Sequence, residues 1–286
     1  MVDSSKMHFC VIGDPIAHSR SPEIHQFVFH EMGLSHEYTK QHITEEALAS
    51  FVDDVRVKKY LSGFNVTVPH KRQIMPLLDK IEPFAENVGA VNTVHILDDV
   101  FIGYNTDVLG CRAALEKAGC QYPERVAQIG CGGAARASVQ AILSMGAKEV
   151  ILYDLDEKRV MEIMRAFQKK SNATLTAGHL NEASMKVDMK ECDLIINATP
   201  VGMWPDVDQS PVTAEAIPEG IIVLDMVYNP VETLFIKQAK SRGCRAASGL
   251  MMLVAQALAA DQIWLGRQLP DSLPDRVFQF MIKADK

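Results

Sequence analysis

The sequence predicts an α/β fold in two domains, on three observations. Short apolar strands alternate with helical patterns, a glycine turn follows one of those strands, and 286 residues with 48% hydrophobic content exceed what one core usually organises. In the first third, residues 8–13 read as a strand, 21–32 as a helix entered through Ser21-Pro22, and 37–42 as a second strand. A helix over 44–57 and a short strand over 61–66 follow, and Pro69 introduces a further helix. Residues 121–125 form a polar linker. Beyond it, the strand 126–130, the helix 134–145 and the strand 149–154 make one βαβ unit. Further strands are expected at 175–177, 193–197, 221–225 and 245–247, and closing helices at 251–265 and 275–284. The polar lead, residues 1–6, carries no weight in this reading.

Composition narrows the function. A formal net charge of -7 with no Lys/Arg stripe argues against a nucleic-acid surface. The six cysteines contain no Cys-x-x-Cys pair and no secretory signal precedes them, so the expectation is reduced thiols in the cytoplasm, with neither disulfide nor metal site. The longest apolar stretch, 249–260, is shorter than the roughly 20 residues that span a bilayer and contains Gln256, so it reads as a packed helix and no membrane partner is expected.

Two short polar motifs serve poorly as core and well as an active site: Asn65-Val-Thr67-Val-Pro-His-Lys71 and Asn105-Thr-Asp107. An ammonium beside a carboxylate can take up the proton that an alcohol releases as it loses a hydride, and Lys71 with Asp107 is the candidate pair. The alternative is a salt bridge that only holds a loop. His18 and His70 adjoin these motifs and read as loop-shaping residues, because spacing fixes no carboxylate partner for either.

The glycine turn Gly130-Cys-Gly132-Gly133-Ala134-Ala135 lies where a dinucleotide is held. Gly130 ends an apolar strand, Gly132 lets the backbone approach a pyrophosphate, and Ala135 occupies the position where helix and strand pack tightly. Asp154 ends the next strand, 24 residues after Gly130, close to the spacing of an acid that accepts from an adenosine ribose diol. A carboxylate there repels the 2′-phosphate of NADP, so NAD is favoured. NADP stays open if Arg136, Lys158 or Arg159 holds that phosphate instead.

Seven motifs in order make the chain resemble the shikimate dehydrogenase family, which includes the quinate/shikimate dehydrogenases. They are Gly13-Asp-Pro-Ile-Ala-His-Ser19-Arg-Ser21-Pro22, Gly63-Phe-Asn65-Val-Thr67-Val-Pro-His-Lys71, Gly89-Ala-Val-Asn92-Thr, Asn105-Thr-Asp107, the glycine turn with Arg136-Ala137, Asn197-Ala-Thr199-Pro-Val-Gly202-Met203, and Asp225-Met-Val-Tyr228-Asn-Pro230. The resemblance implies a substrate-binding and catalytic domain at 7–108, a Rossmann-type doubly wound NAD(P)-binding domain at 109–248, and C-terminal helices at 249–286 that return to the first domain. The two domains would close a cleft on substrate and cofactor. The implied reaction is reversible oxidation of the shikimate 3-hydroxyl to 3-dehydroshikimate.

The same resemblance assigns residues. Lys71 and Asp107 match the catalytic pair, and Ser19 and Ser21 the carboxylate-binding serines, with Tyr228 assisting. Asn65, Thr67, Asn92 and Gln256 match hydroxyl-binding positions. Gly130, Gly132, Gly133, Ala134, Ala135, Asp154, Asn197, Thr199 and Gly249 fall on the cofactor side. For Ser21 the generic alternative is capping of the helix it opens, and for Asn197 it is a turn.

Two departures stand out. NADP-using members typically carry Asn-Arg-Thr where this chain has Asp154-Leu155-Asp156. Met251 replaces the second glycine of Gly-x-Gly-Met-Leu, a bulky thioether near the nicotinamide. Members that accept quinate sometimes carry Thr at the position of Ser21, so Ser21 favours shikimate and leaves quinate open. The rival readings are a non-catalytic dinucleotide-binding regulatory protein of the same fold and a dehydrogenase of an aminated shikimate analogue. Monomer and homodimer are both compatible with the sequence.

Overall fold

The structure is a computed structural model that describes residues 6–284, so the polar lead, apart from Lys6, lies outside the described residues. The chain divides into two compact units, one running to Asp107 and resuming at Val254, the other spanning Val108–Leu253.

The first unit is built on a six-stranded sheet of order β2-β1-β3-β5-β6-β4. Its strands are β1 (His8–Gly13), β2 (Glu37–His42), β3 (Gly63–Val66), β4 (Lys80–Ile81), β5 (Thr93–Leu97) and β6 (Val100–Tyr104). Pairing is parallel among β2, β1 and β3 but antiparallel from β3 to β5 and from β5 to β6, so this sheet is mixed rather than purely parallel. The β5–β6 hairpin turns on Asp98 and Asp99, both at positive φ (50° and 65°), the conformation of a two-residue hairpin loop. Because β5 runs against its neighbours, its start lies at the edge where β1, β3 and β6 end. The chain segments after Gly13, Val66 and Tyr104 and before Thr93 are therefore gathered there.

Successive residues of β1 feed opposite faces, as a two-residue period requires. Cys10 and Ile12 pack with Phe64 and Val66 beneath α2 (Leu48–Lys58), while Phe9 and Val11 pack with Phe29, Tyr38 and Trp264. Phe29 belongs to α1 (Ser21–Glu31) and Trp264 to α9 (Gly249–Leu265). The closing helix α10 (Leu273–Ala284) lies on α1, with Phe280 stacked on Phe27 at 4.4 Å between ring centroids.

Two expectations need correction here. The helix expected after Pro69 is a run of turns ending in a single 3₁₀ turn, Met75–Leu77. Pro76 accounts for this, since inside an α-helix its ring would clash with the carbonyl four residues back. The helix expected from residue 44 starts at Leu48. Residues 45–47 form a turn instead.

The second unit is a fully parallel six-stranded sheet, order β12-β11-β10-β7-β8-β9. It comprises β7 (Arg125–Ile129), β8 (Glu149–Tyr153), β9 (Thr174–Ala177), β10 (Leu194–Asn197), β11 (Ile222–Asp225) and β12 (Arg245–Ser248). This is the doubly wound order, with the order of strand addition reversing between β7 and β10, the point at which such sheets bind ligands. Helices α4 (Asp107–Lys117), α5 (Ala135–Ser144), α6 (Glu157–Phe167), α7 (Glu182–Met189) and α8 (Leu234–Ser241) belong to this half of the chain. Register sets Ile129 beside both Asn197 and Tyr153, and Asn197 beside Asp225, so Gly130, Ala198, Asp154 and Met226 all leave the sheet at one edge.

Candidate active site

In the first unit, Lys71 Nζ donates to Asp107 Oδ2 at 2.6 Å, and the two side chains are only 13% and 10% exposed. Backbone structure holds both ends of this contact. The Lys71 carbonyl accepts from Val91 N at 2.8 Å, which ties the loop after β3 to the segment before β5. Asp107 is the first residue of α4, where the helix dipole favours an acidic side chain.

Beside this pair lies a buried set of neutral polar groups. Asn92 Oδ1 accepts from Thr106 N at 2.7 Å, while Asn92 Nδ2 donates to Thr106 Oγ1 at 2.9 Å and to Gln256 Oε1 at 3.2 Å. Asn65 Nδ2 donates to Thr93 Oγ1 at 3.0 Å and to the Asn92 carbonyl at 3.2 Å, and its Oδ1 accepts from the Tyr38 hydroxyl at 2.6 Å. Ser19 Oγ donates to Ser21 Oγ at 3.3 Å. Thr67 is half-buried at the exit of β3.

The first unit thus brings Ser19, Ser21, Asn65, Asn92 and Gln256 into hydrogen-bonded groups, with Lys71 and Asp107 paired. Tyr228 belongs to the second unit, in the loop that follows β11. Ser21 does not cap α1. It is the first helical residue, and Arg20 at the boundary makes no side-chain cap. His70 shapes its loop, pairing through Nε2 with the Ile43 carbonyl at 2.6 Å. His18 is exposed.

In the second unit the glycine turn is fixed by groups that periodicity alone does not reveal. Gln128 is fully buried in β7, donates through Nε2 to the carbonyls of Gly130 (3.3 Å) and Ala135 (3.2 Å), and accepts from Ser138 Oγ at 2.7 Å. Gly130, at φ 95°, faces the backbone of Ala198, and a Cβ there would come within 2.7 Å of it. Gly132 and Gly133 face open space, since a Cβ on either would meet nothing within 4 Å. The following helix starts at fully buried Ala135, and Ala134 provides no side-chain cap. An uncapped helix start behind an open glycine backbone suits the pyrophosphate of a dinucleotide.

Asp154 Oδ2 accepts from Cys131 N at 2.7 Å and Oδ1 from Asp156 N at 2.9 Å. A carboxylate offers about four acceptor positions, so two remain for a ribose diol. The neighbouring Leu155 is 96% exposed, and Arg159 Nε lies 3.6 Å from Asp156 Oδ2.

Asn197 acts as a turn residue. Its Oδ1 accepts from Thr199 N and Oγ1 (3.0 and 2.6 Å), and its Nδ2 donates to the Val201 carbonyl (3.2 Å) and to Asp225 Oδ1 (2.9 Å). Asp225 is fully buried and also accepts from Val227 N and Thr233 Oγ1. Burial pushes its carboxyl up from 3.8 to about 6, with the bonds from Thr233, Val227 and Asn197 acting in the opposite direction. One buried carboxylate thereby fixes both the Thr199–Val201 loop and the loop that carries Tyr228. Gly249 opens α9 where a Cβ would sit 2.4 Å from the Met226 carbonyl oxygen, and Met251, two residues on, is 7% exposed. No cluster of three metal-ligating side chains forms among the described residues.

A largely buried ammonium–carboxylate pair beside neutral amides and hydroxyls, in a chain whose other half has the doubly wound fold, is the arrangement of a dinucleotide-dependent oxidoreductase. Comparison with known proteins narrows this. The shikimate dehydrogenase substrate binding domain matches residues 11–94. A shikimate dehydrogenase (NADP(+)) of Methanococcus maripaludis is 37% identical over 273 residues, covering 95% of each chain. The crystal structure of the Listeria monocytogenes shikimate 5-dehydrogenase in complex with shikimate and NAD superposes with a TM-score of 0.89 at 30% identity, covering 97% of both chains. That of Thermus thermophilus, with NADP(H) and shikimate, gives 0.84 at 32%, covering 96% of this chain and 98% of the other. The chain belongs to the shikimate dehydrogenase family. Its relatives are named for NADP(+) or hold either nucleotide, so the comparisons support a nicotinamide dinucleotide without supporting a preference for NAD.

Proposed function

We propose that the chain catalyses reversible oxidation of shikimate to 3-dehydroshikimate, with the Lys71–Asp107 pair exchanging the hydroxyl proton. The observation that carries this reading is the 2.6 Å contact between two largely buried, opposite charges beside a wall of neutral amides. In such a place an ammonium orients a hydroxyl, stabilises the charge that develops on its oxygen and passes the proton on. When bound, the nicotinamide supplies the hydride acceptor for the alcohol carbon. Asn92 and Gln256, with Asn65 and Thr67, recognise ring hydroxyls. Ser19 and Ser21, assisted by Tyr228, recognise the carboxylate.

On the cofactor side, residues 130–135 hold the pyrophosphate, Asp154 the adenosine ribose, and Thr199 and Gly249 the region around the nicotinamide, with Asn197 shaping its loop. Two features support NAD over NADP. Asp154 keeps acceptor positions for a ribose diol, and Leu155 beside it offers no charge to a 2′-phosphate. Among the described residues all six cysteines are free and buried, which fits an enzyme of the reducing cytoplasm.

Initial rates with shikimate and quinate, each against NAD and NADP, test the proposal through absorbance of the reduced nicotinamide. Turnover of shikimate supports it. Nucleotide binding without turnover of either substrate would replace it with the regulatory reading, and turnover of an aminated analogue alone would move the substrate assignment.

A further inference from the structure

Asn65, one of the polar groups assigned to the substrate, is held by a residue that none of the motifs contains. Tyr38, in β2, is 3% exposed, and its hydroxyl donates to Asn65 Oδ1 at 2.6 Å. From Asn65 the network runs on, through Nδ2, to Thr93 Oγ1 and the Asn92 carbonyl. The Asn92 carbonyl can only accept, so it fixes which way the Asn65 amide faces, and the phenol then donates to Oδ1. What Asn65 keeps for a ligand is an acceptor position on Oδ1.

Behind Tyr38 lies a second feature that the site as described does not use. His25, in α1, stacks on the Tyr38 ring at 4.1 Å between centroids and 15° between planes. Its Nδ1 pairs with Asp261 Oδ1 at 2.7 Å, and both side chains are 0% exposed. Trp264 flanks the two rings at 5.4 Å from His25 and 6.1 Å from Tyr38. Neither His25 Nε2 nor Asp261 Oδ2 has a hydrogen-bond partner among the described residues. A buried polar pair with two unsatisfied atoms destabilises a core, so packing alone does not explain its presence among Phe9, Phe29 and Trp264. It does fix the plane of the imidazole, and with it the ring stacked on that plane.

We infer that Tyr38 is a positioning residue for substrate binding, setting the Asn65 amide through its hydroxyl, and that the His25–Asp261 pair holds its ring in place. This inference rests on the substrate reading above.

Tyr38→Phe tests it, because the ring and its stacking remain while the hydroxyl is lost. The expected result is a rise of about tenfold in KM for shikimate, the loss of roughly one well-made hydrogen bond, with kcat within about threefold and nucleotide KM within about twofold of wild type. On an Asn65→Ala background the same substitution should change KM by less than about twofold, since the two residues act along one path. Asp261→Leu, which keeps the tyrosine but removes the anchor of the imidazole stacked on it, should raise shikimate KM several-fold with nucleotide KM unchanged. A folded Tyr38→Phe variant with wild-type KM for shikimate would overturn the inference. So would a parallel loss in kcat and both KM values, or failure of both Tyr38→Phe and Asp261→Leu to fold. Wild-type turnover of shikimate, measured first, tests the function separately. If wild type reduces no nucleotide, the same variants are compared by the Kd for shikimate in calorimetry, where the same ratios apply.

Discussion

Asn92 and Gln256 stand 164 positions apart in the chain, yet Asn92 Nδ2 donates to Gln256 Oε1 at 3.2 Å in a fully buried contact. The bond ties α9 to the start of β5, and Thr106 Oγ1 reaches the same amide oxygen at 3.4 Å. Gln256 is thereby held with its Oε1 turned toward Asn92 and Thr106. Gln256→Ala removes an amide proposed to bind a substrate hydroxyl and leaves Asn92 bonded to Thr106. KM for shikimate should rise about tenfold, one neutral hydrogen bond's worth, while nucleotide KM stays within about twofold. Steady-state rates with each substrate varied in turn distinguish the two.

Lys71→Ala should lower kcat by a factor of roughly 10² to 10⁴, the usual contribution of positioned acid–base groups. The variant should fold with a lowered melting temperature, because Asp107, only 10% exposed, loses its partner while the backbone bond from Val91 N to the residue 71 carbonyl survives the change. A variant with a kcat within tenfold of wild type would move the proton-transfer role to another group.

The extent to which this site could be read from sequence depends on the kind of residue. Lys71, Asp107, Asn92 and the glycine turn lie in polar or glycine-rich segments between apolar runs, where only chemistry explains them. Gln128, Tyr38 and the His25–Asp261 pair lie inside elements whose pattern reads as core, and their meaning comes from partners brought in by the fold. The strands of the second unit were legible because parallel strands covered on both faces are continuous apolar runs. The β5–β6 hairpin was not, since its turn is Asp98-Asp99 with no glycine to mark it. The segment after Pro69 is patterned like a helix, and Pro76 stops one from forming.

Cofactor choice is tested at Leu155. With Asp154 kept for the ribose and Leu155 exposed, wild type should favour NAD over NADP in kcat/KM. Leu155→Arg should shift that ratio toward NADP by about tenfold or more, equivalent to about 1.4 kcal/mol for a new contact to the 2′-phosphate. The substitution lies on the surface and should not alter KM for shikimate. A wild type that prefers NADP tenfold would show that Arg136, Lys158 or Arg159 meets the phosphate instead.

Asp225 links the electrostatics of the second unit to pH. Its carboxyl is raised from 3.8 to about 6 by burial, so between those values the folded state binds more protons at this group than the unfolded state does. Stability therefore falls, through this group, as pH climbs from about 4 to about 6, and the penalty is complete above that range. The displacement corresponds to about 3 kcal/mol. Asp225→Asn keeps an oxygen for Asn197 Nδ2 and Val227 N, and its amide can donate to Thr233 Oγ1, so both loops retain their bonds. The variant carries no charge to desolvate. Groups elsewhere titrate alike in both proteins and cancel in the comparison. Urea unfolding at a series of pH values should therefore show the stability of Asp225→Asn, relative to wild type, increasing by up to about 3 kcal/mol between pH 4 and pH 7. A difference that stays constant across this range would mean that Asp225 is ionised in the folded chain at pH 4 as readily as in the unfolded one, with its hydrogen bonds fully offsetting burial.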